Sequence, residues 1–415
     1  MALAVDLHSH SGYAGGAGKI NLHSLAETMK IKGISVFGIG DCLFPAWQKE
    51  YKHQLVSNSS NLYHLPGTEA YFIRQTEVIF TVALEGYPNR IVAHHIILFP
   101  DDESISKMTK LLSRKGHKNT IARPFITCRD QSELEETLFA IQAIHPLVEI
   151  IPAHVLTPDG ILGSKNKLGS WQEFYGAFVD CIHAVETGLS ADPAMLCRIP
   201  DLYGKTFLSN SDCHCEALNR VGREFTILDT GEMTYEAIIQ AIRDNRVLLT
   251  AEFLPSEGRY YLTGHRADKH ESKKETFFPD DDPEDLVCPD CGKKLLQGVK
   301  NRAKQLTDYN LPANHKPFLH LLPLIEVIAS AFDIKSIGSK KVKDSFVKCL
   351  AVFGTEINLW KSSAQDIEEL LDNNLPQEII KHITAVRNGS FSFEPAGYDG
   401  QYGILKIHME NSNEC

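Results

Sequence analysis

Two histidines near the start of the chain have the residue type and the spacing of metal ligands. His8 and His10 belong to the motif Asp6-Leu7-His8-Ser9-His10, which ends a short apolar run, residues 2–7, that is typical of a β-strand. Side chains alternate along a strand, so both imidazoles are expected on one face and within reach of one ion. An isolated pair of this kind is also compatible with two surface histidines.

Further candidate ligands occur in or directly after later apolar runs. Each is a carboxylate or an imidazole, and they are Asp41, Glu77, the adjacent pair His94 and His95, His154, Asp212 and His214. Active sites of βα barrels are built at the carboxyl ends of successive strands. Because the candidates repeat at such positions, the sequence predicts a metal site and disfavours the interpretation as scattered surface histidines.

Strand and helix candidates alternate over residues 1–255 and would position these side chains. A helix is predicted from Leu22, with Asn21 as its N-cap and Gly33 as its end. Further strands are predicted at 34–39, 91–99, 148–152, 184–185 and 206–208, and further helices at 133–144, after Ser170 and at 235–242. This alternation indicates an α/β fold with parallel strands that closes as a βα barrel.

A small module is predicted at 256–300, where charge rises and an acidic stretch, residues 280–285, interrupts the apolar pattern. It contains His265 and His270, four residues between them, followed by Cys288 and Cys291, two residues between them. Two pairs at chelating spacing predict a structural Cys2His2 zinc site in a segment too small to fold on its own core. The order of the pairs is inverted relative to the usual zinc finger.

The third predicted domain, residues 301–415, is mainly helical. Apolar residues recur at threes and fours in 319–332, 341–353 and 376–388, and the tail 391–407 is expected to end as a hairpin. The segment 337–341, Ile-Gly-Ser-Lys-Lys, precedes a helix and could present amides and lysines to a phosphate. An ordinary solvated helix start fits that segment equally well.

Composition limits the classes of protein that fit. The net charge of -11 argues against a simple electrostatic DNA-binding surface, although bound divalent cations would offset part of it. No apolar run reaches the roughly 20 residues that span a bilayer, so no membrane association and a cytoplasmic location are expected. The 10 cysteines are mostly single, which favours reduced thiols over a disulfide framework.

The motifs resemble the polymerase and histidinol phosphatase (PHP) superfamily, and within it the endonuclease Q family. The opening Asp-Leu-His-Ser-His, a Gly-Asp after the second strand and a closing Asp-x-His are similar to the superfamily's metal motifs. The segments similar to endonuclease Q are 38–41, 76–78, 94–98, 185–190, 209–212, 288–292 and 397–403. This resemblance covers essentially the whole chain. It implies a PHP-type distorted βα barrel with a zinc-binding module and a C-terminal helical domain that binds DNA.

The resemblance also implies an activity and a site. The activity is hydrolysis of DNA on the 5′ side of deaminated bases, namely uracil, hypoxanthine and xanthine, and of abasic sites. The implied metal ligands, with Asp212 and His214 also catalytic, are His8, His10, Asp41, Glu77, His95, His154, Asp212 and His214. The ions would be divalent zinc, manganese or magnesium, two or three in number.

Several alternatives stay open at this stage. His95 is preferred over His94 because a histidine directly before an aliphatic run fits the superfamily pattern, and Glu186 could be a ligand or structural. Arg220 and Arg223 could clamp a phosphate or lie on a solvated face. A PHP phosphomonoesterase acting on a small metabolite, such as histidinol phosphate, and a zinc-stabilised binding protein with a decayed site are the competing functions. The sequence does not resolve whether a sliding clamp binds the chain.

Overall fold

The strands of the N-terminal part form most of one large sheet. The computed structural model describes residues 1–15, 20–117, 119 and 121–409. The first twelve strands in chain order are β1 (Ala2–Asp6), β2 (Val36–Gly38), β3 (Val56–Ser57), β4 (Tyr63–His64), β5 (Tyr71–Val82), β6 (Ile91–Phe99), β7 (Phe125–Cys128), β8 (Glu149–Pro152), β9 (Ala184–Glu186), β10 (Thr206–Leu208), β11 (Phe225–Asp229) and β12 (Val247–Glu252).

The predicted α/β class is confirmed, but the sheet mixes parallel and antiparallel pairs, so the expectation of parallel strands holds only in part. β1 pairs in parallel with β2, β2 with β5, and β5 with β7. The pairs β1–β11, β5–β6, β6–β8 and β11–β12 are antiparallel. β5 and β6 follow each other through a short connection, which permits an antiparallel hairpin but no crossover helix. β9 and β10 form a separate parallel pair.

In the described ranges, seven α-helices are interspersed with these strands: α1 (Leu22–Lys32), α2 (Pro45–Gln54), α3 (Asp102–Arg114), α4 (Gln131–Gln142), α5 (Gln172–Tyr175), α6 (Pro193–Leu196) and α7 (Tyr235–Arg243). The ends of α1 are those predicted from the sequence. The Asn21 side chain accepts the His23 and Ser24 amides, and Gly33 closes the helix with φ 90°. The predicted positions of α4 and α7 are confirmed to within two residues.

The central strands are buried on both faces, which makes them a rigid platform for the site. Eleven of the twelve residues of β5 are buried, and β6 is buried at seven of nine positions. Such strands read as nearly continuous apolar runs, and a polar residue within them is therefore conspicuous. Glu77 in β5 is 1% exposed. A buried carboxylate at this depth requires partners of its own.

The middle segment contains a short hairpin and a helix. β13 (Thr263–His265) pairs antiparallel with β14 (Thr276–Phe278), and α8 (Val299–Leu306) follows. Arg302 of α8 is buried, and its side chain donates to the carbonyls of Leu162 and Leu168. This helix therefore packs on the N-terminal part and crosses the predicted boundary at residue 300. The division into three domains stays a prediction.

The C-terminal part is mainly helical, as predicted. It contains β15 (Phe318–His320), α9 (Leu324–Ala331), α10 (Lys340–Phe353), α11 (Glu356–Lys361), α12 (Ala364–Leu371), α13 (Gln377–Arg387), β16 (Phe391–Phe393) and β17 (Leu405–Ile407). The expected helix over 319–332 is shorter, because its first residues form β15 and extend the large sheet beside β12. β16 and β17 pair antiparallel, which confirms the expected hairpin.

The C-terminal helices also contact the N-terminal part through a buried ion pair. Lys32 Nζ lies 2.8 Å from Glu356 Oε1, and both side chains are nearly inaccessible to solvent. The same carboxylate accepts the Leu324 amide, so it joins α1, α9 and α11. Among the helices of the described ranges, none has both the length and the apolar composition needed to cross a bilayer.

Candidate metal centre

The opening and closing motifs meet at the carboxyl end of β1. The Asp6 carboxylate accepts the backbone amides of Ser211 and Gly222, both at 3.0 Å. His10 donates its amide to the Cys213 carbonyl at 2.9 Å. These bonds bring His8 and His10 beside Asp212 and His214, more than 200 residues away in sequence. The donors and acceptors are buried, so water cannot replace these hydrogen bonds.

Seven of the predicted and neighbouring side chains form overlapping ligand groups. In each group the donor atoms lie within 4.8 Å of one another, and the groups are His8, His10 and Glu77; Glu77, His94 and His154; and His10, Asp212 and His214. Glu77 belongs to two groups and His10 to two. Shared ligands at this spacing are the arrangement of a polynuclear centre, in which neighbouring ions lie about 3.5–4 Å apart.

The atoms that face the middle of the cluster fit bound cations. Nε2 of His8 and Nε2 of His10 are buried and make no hydrogen bond to the described residues. Nε2 of His10 lies 3.2 Å from Asp212 Oδ1 and 3.5 Å from Glu77 Oε2. Buried nitrogens without a hydrogen bond, next to carboxylate oxygens, carry a free-energy cost that metal coordination would remove. The residues present therefore fit divalent metal ions.

Two carboxylates hold these imidazoles from behind. Glu186 lies 3.0 and 3.1 Å from His8 Nδ1, and Asp41 Oδ1 lies 3.2 Å from His10 Nδ1. A carboxylate on Nδ1 fixes the tautomer that leaves Nε2 free for a metal. The structure thus does not bring Asp41, a predicted ligand, into the ligand groups. Its second oxygen accepts the Ser11 amide and hydroxyl, at 2.7 and 2.6 Å.

The predicted choice of His95 over His94 is corrected by the strand register. β5 and β6 pair with Ile79 opposite His94 and Val78 opposite His95, so His94 shares the face of Glu77. His94 Nδ1 lies 2.6 Å from Glu77 Oε1. His95 points to the other face, where its Nε2 is 2.6 Å from the Tyr175 hydroxyl.

Burial of His95 in that apolar environment shifts its pKa. Its ring stacks on Phe174 with centroids 6.2 Å apart, and it has no exposed surface. Burial, which disfavours the charged imidazole, lowers the pKa of His95 to about 3. His95 is therefore a neutral core residue hydrogen-bonded to Tyr175.

The pKa values of His8 and His10 shift in the opposite direction. Burial alone would lower the pKa of His8, but the carboxylates of Glu186 and Asp212 outweigh it and raise that pKa to about 9. The pKa of His10 is also raised, against burial, by the adjacent carboxylates of Asp212 and Asp41. The surrounding carboxylates thus favour positive charge at this point, whether it is carried by protons or by metal ions.

Backbone geometry is unusual at two residues of the ligand groups. His154 has φ 31° and Asp212 has φ 45°, both in the left-handed region that non-glycine residues rarely adopt. His154 follows β8, and its amide donates to Glu186 Oε2 at 2.9 Å. Gly188 packs against it, because a Cβ at that position would lie 2.3 Å from the His154 Cβ. The segment 186–188 thus supports both His8 and His154.

Two arginines adjoin the cluster. Arg123, which the sequence motifs did not single out, places Nη1 3.1 Å from Glu77 Oε2. Arg223 donates from Nε to the Ser211 carbonyl at 2.8 Å and lies over the Phe253 ring, 5.6 Å from its centroid. Arg220, its predicted companion, is exposed. Of the two arginines predicted to clamp a phosphate, Arg223 is thus held beside Asp212 by its bond to the Ser211 carbonyl.

A cavity of about 270 Å³ opens directly beside the metal-facing residues. His94, His154 and Asp212 line one side of it. The remaining wall is largely apolar and comes from several parts of the chain, including Pro158, Leu189, Phe253, Tyr260, Val299 and Tyr402, with Arg223, Glu257 and Arg259 among its polar residues. An apolar pocket with a few convergent polar groups is the usual form of a ligand site.

A second ligand cluster lies in the middle segment, as its spacing predicted. Donor atoms of His265, His270, Cys288 and Cys291 all lie within 4.8 Å of one another. Cys288 Sγ is 3.2 Å from His270 Nε2, and Cys291 Sγ is 3.5 Å from His265 Nδ1. A tetrahedron with Zn–S of about 2.3 Å and Zn–N of about 2.0 Å has sulfur–nitrogen edges of about 3.5 Å, so the four side chains fit a tetrahedral ion.

Fold and cluster together define the class of protein, a metal-dependent hydrolase, and solved structures identify the family it resembles. The lesion-specific endonuclease PfuEndoQ from Pyrococcus furiosus matches with a TM-score of 0.81 and 28% identity, over 98% of this chain and 96% of that one. A complex of endonuclease Q with a 27-mer duplex substrate, which has an abasic lesion at the active site, matches with the same score and identity over 98% and 97%. The predicted resemblance to endonuclease Q is therefore confirmed.

A sequence relative also matches nearly the whole chain. The uncharacterized protein YqxK of Bacillus subtilis is 27% identical over 97% of this chain and 98% of its own length. An uncharacterized protein of Methanocaldococcus jannaschii is 32% identical over 58% of this chain, and the match spans only 31% of that longer protein. No family model matches the chain.

Proposed function

We propose that this protein is a DNA repair endonuclease that hydrolyses the phosphodiester 5′ of uracil, hypoxanthine, xanthine or an abasic site. The observation that carries the proposal is the structural similarity to endonuclease Q over 98% of the chain, together with the buried histidine–carboxylate cluster. A similarity confined to the metal-binding part would fit any PHP phosphoesterase. Similarity that extends through the middle segment and the C-terminal helices favours a substrate large enough to contact all of them.

The proposed metal ligands are His8, His10, Glu77, His94, His154, Asp212 and His214. Two or three divalent ions held there would supply an activated water and stabilise the charge that develops on the phosphate. Asp41 and Glu186 orient His10 and His8 through their Nδ1 atoms, and are positioning residues in this proposal. Zinc, manganese and magnesium all remain compatible with this donor set.

The cavity beside the cluster is the proposed site for the altered nucleotide. Its apolar wall includes the aromatic rings of Phe253, Tyr260 and Tyr402, which could stack on a base extruded from the duplex. Uracil and hypoxanthine pair poorly with the opposite base, which lowers the cost of extrusion. Because the cavity shares His94, His154 and Asp212 with the cluster, an extruded nucleotide would bring its adjoining phosphate to the ions.

The proposed role of the second cluster is to hold a structural zinc ion. Its four donors are two thiols and two imidazoles, and no fifth position is needed for chemistry. His270 Nδ1 lies 2.6 Å from the Lys274 carbonyl, which directs Nε2 toward Cys288. Asp399, in the tail segment 397–403, accepts the Arg266 amide at 2.9 Å and also pairs with Lys269. The zinc module would therefore anchor this segment beside Tyr402 at the cavity.

One assay compares the proposed function with the phosphomonoesterase alternative. Purified protein with Mn²⁺ or Mg²⁺ is incubated with labelled duplexes that contain a single uracil, hypoxanthine, xanthine or abasic site, and in parallel with a chromogenic phosphomonoester. Nicking of the lesion duplexes, with no nicking of an undamaged duplex, supports the proposal. Hydrolysis of the phosphomonoester alone would favour the alternative, and an absence of both activities with metal bound would favour a binding protein.

A further inference from the structure

Arg123 lies opposite Glu77 for a reason that follows from strand register. β7 pairs in parallel with β5, with Phe125 opposite Ile79, and the Ile79 amide donates to the Pro124 carbonyl at 2.9 Å. The chain just before β7 therefore continues alongside β5, and residue 123 falls opposite residue 77. β5, the strand beside which residue 123 lies, is central and buried.

The guanidinium group reaches the edge of the ligand cluster that solvent can reach. Arg123 is 27% exposed, whereas Glu77 is 1% exposed. Its Nη1 contacts Glu77 Oε2, on the side of the carboxylate that faces His10 at 3.5 Å, and not Oε1, which faces His94 and His154. Arg123 therefore lies on the side of the cluster formed by His10, Asp212 and His214.

Arg123 is a positively charged neighbour of this acidic cluster. Within the described ranges, Arg123 is the only lysine or arginine that forms an ion pair with a carboxylate of the cluster. Its Nε is buried and makes no hydrogen bond to the described residues. One contact with Glu77 thus leaves several of its five N–H groups for another acceptor.

We propose that Arg123 is a catalytic residue that contacts a non-bridging oxygen of the scissile phosphate. This inference rests on the proposed endonuclease function. In that reaction the water loses a proton to solvent and its oxygen forms a new bond to phosphorus. The bond from phosphorus to the 3′ oxygen breaks, and that oxygen takes up a proton from solvent. Negative charge accumulates on the non-bridging oxygens as the water attacks. A guanidinium group offers two parallel donors to such oxygens, which a lysine cannot.

The contact with Glu77 also orients the Arg123 side chain. A long arginine side chain at the edge of a site has many rotamers, and the bond to a buried carboxylate restricts them before substrate binds. Phosphate oxygens that enter beside Asp212 and His214 would meet donors that are already oriented. Electrostatic groups oriented in advance are the ones that lower an activation barrier most.

The test uses three variants of the whole protein: Arg123→Ala, Arg123→Lys and, as a matched control, Arg129→Ala. Arg129 is 82% exposed and pairs with Glu133 on the surface of α4. Single-turnover rates on a hypoxanthine duplex are measured with Mn²⁺, together with bound metal and melting temperature. Arg123→Ala is expected to slow the chemical step ~100-fold, the effect of losing one donor to a developing oxyanion, with metal content unchanged.

Two further readouts separate catalysis from structural support. Free guanidinium added to Arg123→Ala should restore part of the rate and should not accelerate the wild type or Arg129→Ala. Arg123→Lys, which keeps the charge and guards against a folding defect, should fall between the wild type and Arg123→Ala. A rate for Arg123→Ala within threefold of wild type, no response to guanidinium, or loss of metal in proportion to activity would overturn the inference. Failure of the wild type to cut any lesion would instead overturn the proposed function.

Discussion

His8 and His10 each divide their two ring nitrogens between a carboxylate and the interior of the cluster. Glu186 and Asp41 occupy the Nδ1 side, and the Nε2 side faces Glu77 and Asp212. Sequence alone could identify these residues as a set, because carboxylates and imidazoles recur at strand ends. It could not separate a proposed ligand such as Asp212 from a proposed orienting group such as Asp41, since both roles require a carboxylate close to a histidine.

The role of Asp212 is directly testable by a substitution that preserves volume. Asp212→Asn removes a negative charge from a group shared with His10 and His214, and a neutral amide binds a divalent cation far more weakly. We expect turnover on a hypoxanthine duplex to fall by ~100-fold or more, because metal activation of water is lost, while the melting temperature stays close to wild type. A variant that keeps a tenth of wild-type turnover at saturating Mn²⁺ would contradict the assignment.

The raised pKa of His8 predicts how pH affects the protein without metal. A histidine whose folded pKa is raised from 6.5 to about 9 stabilises the fold below pH 6.5, and this contribution is lost as pH rises through 9. The free energy of unfolding of chelator-treated protein should therefore decline between pH 6.5 and 9. Denaturant titrations across this range measure the decline.

Two comparisons test the cause of that decline. With saturating Mn²⁺ the decline should be smaller, because the metal takes the place of the proton between the imidazole and the carboxylates. His8→Gln should also reduce the slope of the chelated protein. An equal slope in the chelated wild type, the metal-loaded wild type and His8→Gln would show that His8 is not the group responsible.

At the scale of secondary structure, strand period predicted some side-chain directions and not others. His8 and His10 lie in one short segment, so the period of two was sufficient to place them on the same face. His94 and His95 alternate, and the choice between them requires the register of β6 against β5, which pairs His94 with Ile79. Register depends on contacts between strands and on the length of the connecting turn, neither of which a single motif contains.

The same limitation explains why Arg123 was not found from sequence. It carries no motif and precedes a four-residue strand, β7. Its position beside Glu77 becomes evident only once β7 is known to pair with β5 in parallel. By contrast, the caps of α1 depend on residues within one turn of its ends, and local sequence was enough to predict them.

The turn after β9 makes a prediction about backbone packing. Gly188→Ala would place a Cβ 2.3 Å from the His154 Cβ, whereas Gly86→Ala would meet nothing within 4 Å. Both glycines have positive φ, 61° and 85°, so alanine has the same conformational cost, about 1–2 kcal/mol, at either position. Only Gly188→Ala is expected to displace His154, with at least a tenfold loss of turnover.

The measurement compares turnover and bound metal in the two glycine variants. Gly86→Ala should lose stability but keep wild-type turnover per folded molecule. Gly188→Ala should lose turnover and hold less metal. If the two variants have the same turnover and metal content, the contact with His154 has no part in shaping the site.

The second ligand cluster makes a prediction at the scale of a module. Cys288→Ser should remove one thiolate from a four-donor site, reduce bound zinc by elemental analysis and lower the melting temperature, because metal-binding free energy serves there as folding free energy. Binding to lesion duplex should weaken, while metal in the histidine–carboxylate cluster stays unchanged. Cys181→Ser, a partly exposed cysteine outside the cluster, is the control. Zinc content and melting equal to wild type would exclude the zinc site.

At the scale of the whole molecule, the net charge of -11 has to be reconciled with a DNA substrate. Basic surface supplies most of the affinity of proteins for undamaged DNA, so this protein should bind an intact duplex weakly. Affinity should instead depend on insertion of the altered nucleotide into the cavity beside the cluster. The sequence predicted the α/β part, the helical part and the two ligand clusters, but not the mixed strand directions, which arise from short connections between neighbouring strands.

The protein is expected to bind damaged duplexes much more tightly than undamaged ones. Fluorescence anisotropy at physiological salt, with Ca²⁺ in place of the catalytic metal, should give a dissociation constant for a hypoxanthine duplex ~100-fold or more below that of the undamaged duplex. Hypoxanthine and uracil present a carbonyl where adenine and cytosine have an amine, so donors in the cavity can favour the altered bases. Equal affinity for damaged and undamaged duplexes would show that the cavity does not select the lesion.

The position of the nick is the sharpest test of the proposed hydrolysis on the 5′ side of a lesion. A duplex with one hypoxanthine is labelled at the 5′ end of the damaged strand, incubated with protein and Mn²⁺, and resolved beside a sequencing ladder. Hydrolysis 5′ of the lesion predicts an upstream fragment that ends in a 3′-hydroxyl, extendable by a polymerase, and a downstream fragment with the lesion at a new 5′-phosphate. A nick on the 3′ side of hypoxanthine, or equal cutting of the undamaged strand, would contradict the account.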